Sequence, residues 1–261
     1  MPYTRQIVIA GLRVVVVTTY FRPLIGGVES NAERLSRFLT GTGCAVTVLT
    51  KRLTPDLPPE ERLDGMRIVR IGPLGGRGPA GKWRVVPAAA RWLIQHRAEH
   101  DVVCCIDYRG IGCAALAARA VSRRPVVFQA QTSGVLSAAN ADTLLRQLGI
   151  GPTAWLGRRL KSAVTALYRR ADAFACISRE IERETREAGV PEDRVRFLPN
   201  PVDMDHFRPA SPQERAMARR RLDVHDARPI CVFAGRLSLE KGVMDLLEAW
   251  RRLAAAGALD Q

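Results

Sequence analysis

A chain of 261 residues, 47% hydrophobic and 25% charged, is long enough for one large or two ordinary domains and has the composition of a globular protein rather than a disordered or collagen-like one. No apolar run approaches the roughly 20 residues of a membrane-spanning helix, and the opening MPYTRQIVIAG holds too short an apolar stretch for a secretory signal, so a cytoplasmic protein is expected. The formal net charge of +14 calls for an acidic partner: a nucleotide, a phospholipid surface or a nucleic acid.

In chain order, strands and helices alternate. A strand is expected at 13–18 (RVVVVT), a helix at 28–39, strands at 44–49 and 67–71, a helix at 83–97, a strand at 102–106, a helix at 111–122 and a strand at 125–128. A helix at 155–170, a strand at 173–177, a helix at 178–188 and a strand at 195–198 follow. Ser178 suits the N-cap of its helix, with Glu180 and Glu182 in the first turn, and Gly189 suits the C-terminal stop. Most of the strand segments are continuous β-branched runs without polar alternation, which suits strands covered on both faces; the alternation with helices predicts an α/β fold with a parallel, doubly wound, Rossmann-like sheet.

After seven strands, PNPVDMDHFRP breaks the pattern with Pro199, Pro201 and Pro209 and reads as a rigid connector. A first domain is therefore expected at 1–200 and a second at 201–261. The latter shows only a helix at 212–222, a strand at 229–234 and a helix at 243–256. A lone strand with its helices cannot bury a sheet face, so the second domain is expected to be an incomplete beginning. From Val202 onward ten Lys/Arg face nine Asp/Glu, leaving +1 there and +13 in the preceding part. The six cysteines show no CxxC spacing, and most sit in apolar runs, so reduced, buried thiols are expected rather than a metal site or disulfides.

Three stretches carry candidate chemistry. In YFRPLIGGVES the pair Gly26–Gly27 follows the first strand, and such a pair either turns the chain or lets backbone amides at the next helix start approach an anionic group. Glu29 is either a first-turn helix acid or a ligand to a hydroxyl. In FAGRLSLEKGV, Arg236 and Lys241 are either surface cations in a turn or a pair that neutralises a diphosphate and stabilises its departure. In FQAQTSG, after a middle strand, Gln129, Gln131, Thr132 and Ser133 either bind acceptor or donor hydroxyls or cap the loop. The histidines at 96, 100, 206 and 225 read as surface residues.

Taken with ISREI…PNPVD, these stretches resemble the retaining glycosyltransferases of the GT-B fold, the family 4-like or group 1 glycosyltransferases, over roughly Arg13 to Trp250. The resemblance implies a hexosyltransferase that uses a UDP- or GDP-linked sugar and a hydroxyl acceptor, lipid-linked or a polysaccharide precursor, with no metal or other cofactor. It implies that Gly26 and Gly27 lie at the donor diphosphate and that Arg236 and Lys241 grip it as the catalytic cations. It also implies that Glu29, Gln131, Thr132 and Ser133 stand on the acceptor side. The family places Asn-Gly where this chain has Asn200-Pro201, and its second domain carries a Glu, seven residues, Glu motif beyond the region present here, so a C-terminally truncated chain is expected. Glu240 and Glu248 share that spacing but lie on the wrong turn. GRGPAG at 76–81 formally matches a dinucleotide fingerprint, yet it follows the third strand and contains Pro79, so a flexible loop is expected.

A non-catalytic remnant or acceptor-binding module is the alternative. Nucleic-acid binding is not expected, since no aromatic platform or zinc spacing accompanies the charge. The stripe Leu156, Leu160, Val164 and Leu167, with Arg158, Arg159, Lys161, Arg169 and Arg170 mostly beside or opposite it, marks a basic amphipathic helix. It either packs on the sheet or lies on an anionic membrane as a peripheral contact.

Overall fold

The computed structural model describes residues 9–75, 83–136, 155–224, 230–235, 237 and 241–257. The chain divides into two compact units, Met1–Val202 and Asp203–Gln261. The first is built from β1 (Arg13–Val17), α1 (Gly27–Gly41), β2 (Ala45–Lys51), β3 (Glu60–Leu63), β4 (Met66–Ile71), α2 (Val86–Gln95), β5 (Val102–Ile106) and α3 (Ile111–Ser122). It continues through β6 (Val126–Ala130), α4 (Trp155–Tyr168), β7 (Ala173–Cys176), α5 (Arg179–Glu187) and β8 (Val195–Phe197).

The eight strands form one sheet in the order β3-β4-β2-β1-β5-β6-β7-β8. Every pairing is parallel except β3 with β4. The chain runs outward from β1 through β2 to β4, then crosses back to β5 and continues the other way. The crossing point lies between β1 and β5, where an open α/β sheet leaves a crevice at the carboxyl ends of its strands.

Period-two alternation explains the two cores. Val15, Val17, Leu49, Val69, Val103 and Phe128 point to one face and meet Leu93, Ala115 and Ile181 from α2, α3 and α5. Val14, Val16, Val46, Val48 and Ile68 point to the other and meet Ala32 on α1 together with Phe21. The four valines of β1, Val14 to Val17, are thus buried on both sides, as their unbroken apolar run requires.

α5 is capped as expected: the Ser178 hydroxyl accepts from the Ile181 backbone N–H at 3.2 Å. The edge hairpin is the element that the sequence reading omits. Its signal is the Asp64-Gly65 pair, whose φ values of 49° and 79° are those of a tight two-residue turn. His100 overturns the expectation of surface histidines. It is 1% exposed, its Nδ1 lies 3.0 Å from the His96 carbonyl, and its Nε2 is buried without a hydrogen-bond partner. His225 lies outside the described residues. Burial holds the His100 imidazole below its ordinary value. With the folded-state value depressed, protonation favours the unfolded chain. Stability contributed by neutral His100 is then present above the unfolded value of about 6.5 and declines as pH falls below it. The urea midpoint should therefore drop on acidification from pH 7, and His100→Gln should flatten that slope.

The cysteines follow expectation in part. Cys44, Cys105 and Cys176 are buried, Cys104 and Cys113 half-buried and Cys231 exposed, all as free thiols. Burial pushes the Cys105 thiol well above its ordinary value, which keeps it protonated and unreactive. The helical stripe also splits: Val164 and Leu167 pack on the core, whereas Leu156 and Leu160 stay exposed. Among the described residues no helix is long and apolar enough to cross a membrane.

The second unit contains α6 (Pro212–Arg221) and α7 (Val243–Ala255). α6 carries a full capping box: Ser211 Oγ accepts from the Glu214 N–H at 3.2 Å, and Glu214 accepts from the Ser211 N–H at 2.8 Å. The strand expected at 229–234 does not form among the described residues 230–234, where no partner ladder is present. None of the unit's described residues is buried.

Candidate functional site

β1 delivers the chain to the crevice. Thr18, Thr19 and Phe21 remain buried beyond the strand end, and the chain then rises to an exposed Ile25 before entering α1. Gly26 is the N-cap of that helix, with its carbonyl accepting from the Ser30 N–H at 2.9 Å. The backbone of Gly26 is extended, a conformation open to any residue. What its missing side chain leaves is room: a Cβ there would collide with the Glu29 carboxylate, which folds back over the helix start. At Gly27 an added Cβ would meet no atom of the described residues within 4 Å, beyond its own helix and chain neighbours. The first amides of a 15-residue helix and a pair of residues without side chains therefore stand together at the carboxyl end of β1.

β6 brings the second group to the same edge of the sheet, two strand spacings or about 10 Å from β1. Gln129 and Asn31 tie the two together. The buried Asn31 amide on the inner side of α1 donates to Gln129 Oε1 at 3.0 Å. That bond engages the Gln129 carbonyl oxygen and fixes α1 over the strand. Asn31 was not picked out from the sequence, although a lone Asn among Val28, Ala32 and Leu35 on the inward stripe was its signal.

Beyond Ala130, Gln131 is half-buried and Thr132 and Ser133 are exposed. The Gly134 N–H donates to Glu184 on α5 at 2.7 Å, which anchors this loop. Gln131 Nε2 is buried with no hydrogen-bond partner, while Gln131 Oε1 takes only a long 3.5 Å contact from the Asn200 amide. An orphaned buried donor at a crevice is a group that a ligand oxygen would satisfy. The junction segment is held from a second side by Arg34, which donates to the Pro201 carbonyl at 3.2 Å.

Between these groups β5 is followed by Asp107, at a φ of 51° that non-glycine residues seldom adopt. Its buried carboxylate accepts two hydrogen bonds from Arg109, at 2.6 and 2.7 Å. The carboxylate raises the Arg109 guanidinium above its ordinary value, so the cation is secure at the mouth of the crevice. Across β1, Lys51 ends β2 almost fully buried, and burial together with Arg84 lowers its ammonium below the ordinary lysine value. The sequence reading missed both Asp107 and Lys51, since neither sits in a motif and only the sheet order puts them beside β1.

In the second unit Lys241 is exposed immediately before Gly242, the N-cap of α7 at a φ of 68°. Arg236 and Glu240 lie outside the described residues, as does the glycine-rich segment at 76–81. Glu248 is held by Arg251 at 2.8 Å and Arg252 at 2.9 Å on the α7 surface, the behaviour of a solvated helix face.

Against known proteins, residues 25–206 match glycosyltransferase family 4. The chain is 28% identical over 237 residues to a D-inositol 3-phosphate glycosyltransferase of Geodermatophilus obscurus, covering 88% of this chain and 50% of that protein. It is 30% identical over 260 residues to a GDP-mannose-dependent alpha-mannosyltransferase of Mycobacterium tuberculosis, covering 95% and 61%. The chain thus spans little more than half the length of these curated relatives. Among solved structures, sucrose-phosphate synthase from Thermosynechococcus elongatus superposes with a TM-score of 0.72 at 18% identity, over 93% of this chain and 60% of that one. HepE from Anabaena in complex with UDP-glucose gives 0.52 at 14%, over 81% and 50%. At such identities the likeness speaks for the GT-B fold.

Proposed function

Since the chain belongs to glycosyltransferase family 4, we propose that it serves the transfer of a hexose from a UDP- or GDP-linked sugar to a hydroxyl acceptor, with retention at the anomeric carbon and without a metal or other cofactor. The observation that carries this reading is the helix start at Gly26–Gly27, where two residues without side chains stand at the carboxyl end of β1 beside the switch point and the space at Gly27 is clear. Relatives that act on inositol phosphate or use GDP-mannose, and a structural neighbour holding UDP-glucose, support the nucleotide-sugar class.

In this proposal the unit Met1–Val202 is the acceptor side, and Asp203–Gln261 belongs to the nucleotide-sugar side. The amides at Gly26 and Gly27 and the cations Arg236 and Lys241 hold the donor diphosphate. Glu29, Gln131, Thr132 and Ser133 receive hydroxyls, with the orphaned Gln131 amide as donor to one of them. The bond from the anomeric carbon to the diphosphate breaks as the acceptor oxygen bonds to that carbon on the same face. The acceptor proton passes to the departing diphosphate oxygen. The protein supplies positioning and positive charge rather than a nucleophile.

Calorimetric titration with UDP and GDP, alongside transfer assays with UDP-glucose and GDP-mannose, tests the reading. Gly27→Ala should cut nucleotide affinity about tenfold, a loss of about 1.4 kcal/mol. The added Cβ meets no neighbour among the described residues within 4 Å, so circular dichroism and melting should change little. Absence of any nucleotide binding by the unaltered chain would favour the non-catalytic, acceptor-binding module instead.

A further inference from the structure

Helix α4 carries a surface that transfer chemistry does not require. Between Trp155 and Arg170 lie five cations, Arg158, Arg159, Lys161, Arg169 and Arg170, and no carboxylate. One side of the helix is packed: Gly157 and Tyr168 are buried, and Val164 and Leu167 rest on the core. At about 100° per residue, Trp155, Arg159, Ala163 and Ala166 fall on the opposite side. The first two turns leave apolar area in water, with Trp155 64%, Leu156 45% and Leu160 41% exposed. The Arg159 guanidinium lies 5.3 Å from the Trp155 ring centroid, so aromatic and cation form one surface unit.

An acidic polynucleotide would match the charge but leave Leu156 and Leu160 wet. A bilayer with anionic headgroups takes both: phosphates meet the arginines while tryptophan and leucine enter the boundary between headgroups and acyl chains. We propose that the outer face of α4 is a docking surface for an anionic lipid bilayer, entered by Trp155 and flanked by Leu156 and Leu160. The basic excess of the first unit, +13 before Val202, favours the same orientation from a distance. The assignment does not depend on the transferase reading.

Vesicle co-sedimentation tests it, using phosphatidylcholine with and without phosphatidylglycerol. The chain should pellet with the anionic vesicles only and be released as salt rises from about 0.1 M to about 1 M, where the screening length falls from about 10 Å to about 3 Å. The double variant Arg158→Glu, Arg159→Glu should lower the partition coefficient more than about tenfold. Trp155→Ser should weaken binding while leaving its salt dependence intact. Because Trp155 is so exposed, that variant folds whatever the double variant does. Equal binding to both vesicle types overturns the proposal. So does anionic binding that none of these substitutions weakens, or failure to pellet with vesicles while an acidic oligonucleotide is bound at the same salt.

Discussion

Phe128→Ala should lower the stability of the unit Met1–Val202 by about 3–5 kcal/mol, the loss typical of removing a buried aromatic side chain. Phe128 is 0% exposed at the centre of β6 and is held on three sides by other rings. It stacks on Tyr108 with centroids 4.3 Å apart, and it meets Tyr168 and Phe174 edge-on, each at 5.9 Å. Gly112 on α3 completes the enclosure: a Cβ there would fall 2.8 Å from Tyr108 Cβ and 3.1 Å from the Phe128 ring. A site so tightly closed has little freedom to collapse into the space left by alanine, which places the cost at the upper part of the range. Phe38, 64% exposed on α1, supplies the control, and Phe38→Ala should stay within about 0.5 kcal/mol. Urea unfolding followed by circular dichroism measures both. A loss below 1 kcal/mol for the core variant would mean that β6 and α3 are not packed as described.

If the proposed transfer reaction holds, Lys241→Met should reduce it by about 10²–10³, equivalent to about 2.7–4 kcal/mol of stabilisation lost from the charge on the leaving diphosphate. The methionine keeps the length of the side chain and removes its cation. The described part of the second unit buries nothing, and Lys241 is exposed before α7, so its loss should leave folding untouched. Lys241→Arg should recover part of the rate, because a guanidinium also pairs with phosphate oxygens. In a calorimetric titration the same Met variant should bind UDP or GDP at least about tenfold less tightly. Wild-type affinity and turnover in Lys241→Met would remove that residue from the proposed mechanism and leave the diphosphate to other groups. Arg236→Met, made alongside, separates the two cations: effects that fall short of additive mean that they act on one ligand.

Most of the sheet was legible in the chain because its central strands are largely buried. RVVVVT and DVVCCI have no polar alternation to confuse a strand with a surface loop, and helices such as Ile111–Ser122 end where the turn residues say they should. The hairpin strand Glu60–Leu63 escaped because it is an exposed edge of EERL, whose charges suit solvent and disguise a strand. The strand expected at 229–234 failed for the converse reason, since an apolar run is a strand only when a partner ladder is present beside it.

The same division governs the crevice. Local chemistry alone determined that Gly26–Gly27 opens a helix after the first strand and that Ser178 caps another, since both depend on a few neighbouring residues. Only the tertiary structure decided that Asn31 reaches Gln129, 98 positions away in sequence, that Asp107 stands between them, and that the Gln131 amide lacks a partner. Those relations depend on strand order, and strand order is set by which apolar faces pack together over the whole sheet, a property that no stretch of a dozen residues contains. His100 makes the point in reverse: a polar residue in the turn between α2 and β5 is buried in the folded chain, and its titration follows from that burial.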